Sequence, residues 1–187
     1  MTAEKFELTR AGSALVVIDI QERLAAAMDP KVMGDVVKNA GILIETAKVF
    51  AMPIVVSEQY RKGLGPTLPA VRERLGGINA LEKLHFDCVR DDSLGAALAG
   101  TGRNTFIVAG IETHVCVFQT ALSLLGKGYR VVVASDAVAS RRKHDWEYSL
   151  RALSEAGALV YPTETVSFML MEKAGTPEFK KLAPLFK

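Results

Sequence analysis

Residues 14–20 read Ala-Leu-Val-Val-Ile-Asp-Ile, an apolar run interrupted only by Asp19. The run does not alternate between apolar and polar residues. A strand with one wet face would alternate, so this pattern predicts a strand covered on both faces, as in a parallel sheet. Downstream, Asp29-Pro30 offers an N-cap and a proline at the first helical position. Met33, Val36, Val37, Ala40, Leu43, Ile44, Ala47 and Phe50 then recur at steps of three and four, predicting a helix to about Ala51. Pro53 stops it, and Ile54–Ser57 reads as a second strand. Strand, helix, strand is the unit of a parallel α/β sheet.

The rhythm continues to the end of the chain. Residues 59–80, rich in glycine and proline, read as a long loop with one short helix. Leu81–Leu84 is a weak third strand, and Asp92 or Ser93 caps a helix through Ala99. Thr105–Ala109 is a strand, Gly110–His114 a tight crossing, and Val115–Leu125 a helix stopped by Gly126 and Gly128. Tyr129–Ala134 is a strand, His144–Glu155 an amphipathic helix closed by Gly157, and Ala158–Tyr161 a last strand. Short helices are expected around Val166–Lys173 and Pro177–Leu182. Six strands alternating with helices predict one three-layer αβα domain over residues 1–187, with a mostly parallel, right-handed sheet.

Composition narrows the class. The 187 residues are 49% hydrophobic and 24% charged, which excludes a disordered or fibrous chain. The 23 Lys+Arg against 21 Asp+Glu leave a net charge of +2, too little for a nucleic-acid binder. The one basic run, Arg141-Arg142-Lys143, fits a solvated loop or helix start. Two cysteines and three histidines form neither a disulfide framework nor a zinc-ligand spacing, so no metal is expected and the cytoplasm is the natural compartment. Met1–Arg10 lacks the apolar core of a signal peptide, and no apolar run reaches membrane-spanning length.

In open α/β sheets, ligands bind outside the carboxyl ends of the strands. Three reactive side chains fall there: Asp19 after the first strand, Lys83 at the third, and Cys116 in the first turn of the helix after Ala109-Gly110. Each alone has a plain structural reading as a turn residue, a solvated lysine or a small buried hydrophobe. Together they form a nucleophile, a base and a charge stabiliser. A helix N-terminus favours a thiolate, so Cys116 is expected to be more acidic than a free thiol. The site is expected at the rim of the sheet, where loss of the Asp19 charge would leave folding intact. Gly63-Leu64-Gly65-Pro66 is neither a dinucleotide fingerprint nor a phosphate loop, so no nucleotide cofactor is expected. His85 and His114 read as packing or hydrogen-bonding residues, Cys88 as core, and Phe86 as either core or pocket wall.

LVVIDIQ (15–21), Glu82-Lys83 followed by Phe86, AGIETHVCVFQTAL (109–122) and VVVASDAVASR (131–141) together resemble the isochorismatase-like cysteine hydrolases. The resemblance spans residues 13–173, and SEQYRKGLGPT (57–67) points to the isochorismatase-domain-containing branch. It implies a Rossmann-like six-stranded fold, a catalytic triad of Asp19, Lys83 and Cys116, a small-molecule substrate, and a homo-oligomer. It also implies an oxyanion hole from the backbone amides of Glu112 and Cys116, and a cis peptide between Ile111 and Glu112. Gln21 and Phe86 are the candidates for the substrate pocket.

Family nicotinamidases hold a metal through an acid and two histidines after the second strand. Here Ser57–Lys62 contains no histidine, which disfavours a metal-dependent nicotinamidase. Relatives that cleave the isochorismate vinyl ether typically lack the cysteine, so its presence favours hydrolysis of an amide or carbamoyl C–N bond through a thioester. Glu112 replaces a smaller residue of many relatives, and its charge would disfavour anionic substrates. Two other classes stay open: a binding or scaffold module with little turnover, and a thiol redox protein using Cys116, for which no resolving cysteine lies nearby in sequence.

Overall fold

The computed structural model describes residues 6–187, so the reading of Met1–Arg10 falls partly outside the described residues. Six strands form one sheet: β1 (Ser13–Ile18), β2 (Ile54–Gln59), β3 (Leu81–Lys83), β4 (Thr105–Ile111), β5 (Arg130–Ala139) and β6 (Leu159–Tyr161). Their order is β3-β2-β1-β4-β5-β6, and every neighbouring pair is parallel. The reversal of direction away from β1 places a crevice at the carboxyl ends of β1 and β4.

All six residues of β1 are buried, as its unbroken apolar run requires. Leu15 and Val17 face α2 (Pro30–Val49), α4 (Pro69–Leu75) and α8 (Thr163–Met171). Ala14, Val16 and Ile18 face α5 (Asp92–Gly100), α6 (Phe118–Gly126) and α7 (Lys143–Glu155). Asp29 caps α2 as expected, its carboxylate accepting from the amides of Lys31 and Val32. The first turn of α2 is followed by a buried stripe from Met33 to Ala47, the face that covers the sheet.

Three elements differ from expectation. A one-turn helix, α1 (Glu22–Ala25), follows β1. The 59–80 segment holds two short helices, α3 (Arg61–Leu64) and α4, rather than one. β5 runs five residues past Ala134, through a register shift opposite Val108–Gly110. Ser135-Asp136 breaks the apolar run and hides this extension from sequence. Asp136 is spent on a local task, accepting from the amide and hydroxyl of Thr163 at the start of α8. The remaining helix α9 (Pro177–Leu182) lies where expected. Among the described residues, no helix is long and apolar enough to cross a membrane.

At Gly110 the backbone of β4 runs directly against Ile18 of β1. The φ of Gly110 is +132°, and a Cβ there would stand 2.0 Å from the Ile18 carbonyl oxygen and 2.6 Å from its nitrogen. Only glycine lets these strands meet at this point.

Candidate active site

The carboxyl ends of β1, β3 and β4 bring the three expected side chains together. The chain turns sharply after β1, and Asp19 adopts φ +52°, a left-handed conformation that aspartate tolerates better than most residues. Its Oδ2 accepts from Lys83 Nζ at 2.7 Å and its Oδ1 from Ser57 Oγ at 2.7 Å. Both side chains of the ion pair are fully buried. Lys83 gives a second hydrogen bond to Gln59 Oε1 at 2.6 Å. The Cys116 thiol lies beside this pair, within the reach of both the Asp19 and the Lys83 charge.

Cys116 lies in a five-residue π-helical turn, Thr113–Val117, which runs directly into α6. The wide turn is closed by the Val117 amide donating to the Glu112 carbonyl at 3.3 Å. Such turns recur at functional sites. The Ile111–Glu112 peptide is cis, as the resemblance implied. The Thr113 hydroxyl is buried in this turn with no hydrogen-bond partner among the described residues.

The electrostatics correct one expectation. Burial pushes the Cys116 thiol up from its ordinary value and the Asp19 carboxylate adds to this, while Lys83 pulls it down without prevailing. Cys116 is therefore a neutral thiol at rest, not the acidic one that a helix terminus alone would produce. Burial, the largest influence, works against the charge on Lys83, but Asp19 together with the neighbouring Cys88 and Cys116 holds the ammonium above the usual lysine range. The resting state is a neutral thiol against a closed ion pair. That pair is sealed inside the protein rather than set at the rim, so removing either charge strands the other in a dry site.

The neighbours divide into what the sequence exposed and what it hid. Gln21, a pocket candidate, is fully buried and braces the backbone: its Oε1 accepts from the Gln59 amide at 2.7 Å, and its Nε2 donates to the carbonyls of Gln59 and Gly65. Phe86 is half exposed and so is not core; it stands with exposed Leu84 and Tyr60 near the end of β3. His85 is exposed and is not a packing residue. His114 does hydrogen-bond, its Nδ1 lying 2.9 Å from Ser140 Oγ. Cys88 is buried in the core as expected, and its backbone amide donates to Thr120 Oγ1 at 3.0 Å. Burial and Asp19 push its thiol up to about 11 against the pull of Lys83. Ser57 and Gln59 were read only as a strand end and a loop start. Their positions flanking a buried acid on the next β-bridge partner were the one available signal.

Glu112 does not present its charge to the site unopposed. Its carboxylate accepts from the Arg141 backbone amide at 2.9 Å and from Arg141 Nε at 3.1 Å. The unforeseen extension of β5 delivers this arginine. Glu58 is buried as well; it accepts from the Thr67 amide and hydroxyl at 2.6 and 2.7 Å and pairs with Arg61. It thus ties the 59–80 segment to the end of β2. Among the described residues, no group of three His, Cys, Asp or Glu side chains gathers where it could hold a metal ion.

Comparison with known proteins places this geometry. The isochorismatase domain model matches residues 13–165. Isochorismatase domain-containing protein 1 of Danio rerio is 35% identical over 96% of this chain, which spans 62% of that protein's length. Isochorismatase domain-containing protein 2 of the same organism is 32% identical over 95% of this chain and 88% of its own length. Among solved structures, the MAR1 ribonuclease of Caenorhabditis elegans is 32% identical with a TM-score of 0.88, covering 96% of this chain and 91% of that one. The YcaC gene product of Escherichia coli, described as an octameric hydrolase of unknown specificity, shares the fold at 23% identity and a TM-score of 0.85, over 96% of this chain and 89% of its own. The match runs across the whole sheet and the cysteine-bearing turn, and the chain belongs to the isochorismatase domain family.

Proposed function

We propose that this protein hydrolyses a small amide or carbamoyl compound at its C–N bond, with Cys116 as nucleophile. The observation that carries the reading is the buried Asp19–Lys83 ion pair at 2.7 Å with the Cys116 thiol beside it, gathered from three separate strand ends. A buried carboxylate touching a neutral thiol is placed to take its proton as sulfur attacks. Asp19 accepts that proton, and sulfur bonds to the carbonyl carbon. The backbone amides of Glu112 and Cys116 receive the oxyanion; a preorganised donor of this kind is worth about 3 kcal/mol in the transition state. The C–N bond then breaks, and the leaving amine takes the proton from Asp19. Water, deprotonated by Asp19, attacks the thioester and releases the acid, and sulfur recovers its proton. Lys83 holds the carboxylate in place and offsets negative charge on sulfur. Phe86 forms part of the substrate pocket's wall.

The test is ammonia or amine release from a panel of small amides and carbamoyl compounds, with Cys116→Ala alongside. Turnover lost in Cys116→Ala, with an acyl adduct on Cys116 by mass spectrometry, supports the reading. Stoichiometric sulfenic acid with peroxide and no turnover would favour a redox protein instead; neither result would favour a binding module. The C. elegans relative's name makes ribonuclease the second reading, so a structured RNA joins the panel. Cleavage of RNA that survives Cys116→Ala would replace the amidase reading. The chemistry needs a free thiol, and both cysteines are free. This fits a reducing compartment such as the cytoplasm. The exposed apolar residues Tyr60, Leu84 and Phe86 support a homo-oligomer, which light scattering would measure.

A further inference from the structure

Lys83 has three N–H groups: two are held by Asp19 Oδ2 and Gln59 Oε1, and the Cys116 thiol lies beside the ammonium. Asp19 and Cys116 belong to the proposed triad, but Gln59 has had no part in it. Its side chain is buried, and its orientation is fixed by chemistry. An ammonium only donates, so the atom facing Lys83 is the amide oxygen. The amide nitrogen in turn donates to the Leu84 carbonyl at 2.9 Å. Gln59 pairs with Lys83 across the β2–β3 ladder, and the Gln21 side chain grips its backbone on both polar atoms. β3 is a three-residue edge strand, so this clamp fixes where Lys83 begins.

We propose that Gln59 is a positioning residue that holds the Lys83 ammonium on the thiol of Cys116 and so governs how readily that thiol ionises for attack. The inference rests on Cys116 being the nucleophile. A neutral acceptor suits the place. It satisfies one buried N–H without adding charge, so Lys83 keeps its attraction for Asp19 and sulfur undivided. A carboxylate at this position would compete for the ammonium and repel a thiolate. An apolar side chain would leave a buried N–H unpaired and free Lys83 to turn away. The titratable groups facing the thiol are Asp19 at the end of β1 and Lys83 on β3, with Cys88 beyond them on the segment after β3. On its own turn, Glu112 and His114 are engaged by Arg141 and Ser140.

The experiment is alkylation of Cys116 by iodoacetamide at a fixed pH of about 8, its rate read at the Cys116 peptide by mass spectrometry. It needs no substrate, so it stands apart from any failure to find one. Gln59→Met and Gln59→Glu should each slow labelling roughly tenfold, the equivalent of about one pH unit in the ionisation of the thiol. On a Lys83→Met background, Gln59→Met should change the rate by less than about twofold, because the two residues act as one unit. A merely structural role would lower the melting temperature and leave the labelling rate in place. If Lys83→Met slows labelling and neither folded Gln59 variant does, the inference is overturned and the proposed nucleophile stands. If Lys83→Met leaves the rate unchanged as well, both fall. Should Gln59→Met fail to fold, the near-isosteric Gln59→Glu carries the test.

Discussion

Replacing Asp19 by asparagine separates the chemistry of the site from its stability. Asparagine keeps the size of the side chain, can still accept from Lys83 through its oxygen while its Nδ2 donates to a reoriented Ser57 hydroxyl, and tolerates the left-handed backbone at φ +52°. What it removes is the charge. Lys83 is then a fully buried ammonium whose remaining acceptors are neutral. Breaking one partner of a buried ion pair costs about 3–5 kcal/mol; retained hydrogen bonds argue for the lower end, about 3 kcal/mol. At about 2.1 cal/mol/K per residue, a chain of 187 residues unfolds with an entropy of roughly 0.4 kcal/mol/K. The melting temperature should therefore fall by about 8 °C. Adding Lys83→Met removes the stranded charge and should restore at least half of that loss, since a buried pair replaced whole is often nearly neutral. Loss of the general base should slow hydrolysis by about 10²–10⁴. Scanning fluorimetry on the two single variants and the double variant measures the first effect, and amide turnover the second. An Asp19→Asn protein that melts and turns over like wild type would refute both the buried ion pair and the assignment of the base.

Three further outcomes follow from the same geometry. Both thiols have folded values raised above the unfolded value of about 8.5, so the native state retains protons that the unfolded chain releases. Their contribution is complete below about pH 8.5 and declines as pH rises, by about 1.4 kcal/mol per unit for each thiol, with Cys88 exhausted near 11. Melting curves from pH 8 to 11 should show a shallower alkaline decline in Cys88→Ser; an unchanged slope would contradict its buried neutral state. Glu112→Gln should alter the preference between matched neutral and anionic amides by less than about threefold, because Arg141 already balances the carboxylate. A tenfold gain for anions would mean that its charge does reach the substrate. Gly110→Ala should cost more than about 4 kcal/mol, since its Cβ would collide with backbone rather than a side chain, and soluble yield with melting temperature would reveal it.

The fold was legible because apolar runs and helical stripes are local signals. β1 is buried on both faces and says so in seven residues; α2 announces its start with Asp29-Pro30. The triad was legible for a different reason: parallel α/β topology gathers strand ends, so Asp19, Lys83 and Cys116 needed only to sit there. The resemblance added their roles. What stayed hidden depended on distance. The extension of β5 lies behind Ser135-Asp136, whose polarity looks like a stop until Thr163, 27 residues later, supplies the partner. Gln21 looked like a pocket residue because nothing local reveals that its amide is consumed by Gln59 and Gly65. The acidity of Cys116 was misjudged because a helix terminus is visible in sequence whereas burial beside a carboxylate is not.

The close approach at Gly110 has a consequence for descent. Cys116 can be lost by a lineage that abandons the reaction, and the sheet would still close. Gly110 cannot, because any side chain there drives β4 off β1 whether or not chemistry is performed. Along the sequence of this one motif, two kinds of history are therefore recorded six residues apart. The glycine answers to the architecture, and the cysteine to the trade practised on it. A relative that keeps the first and has exchanged the second is best regarded as a descendant that has changed occupation.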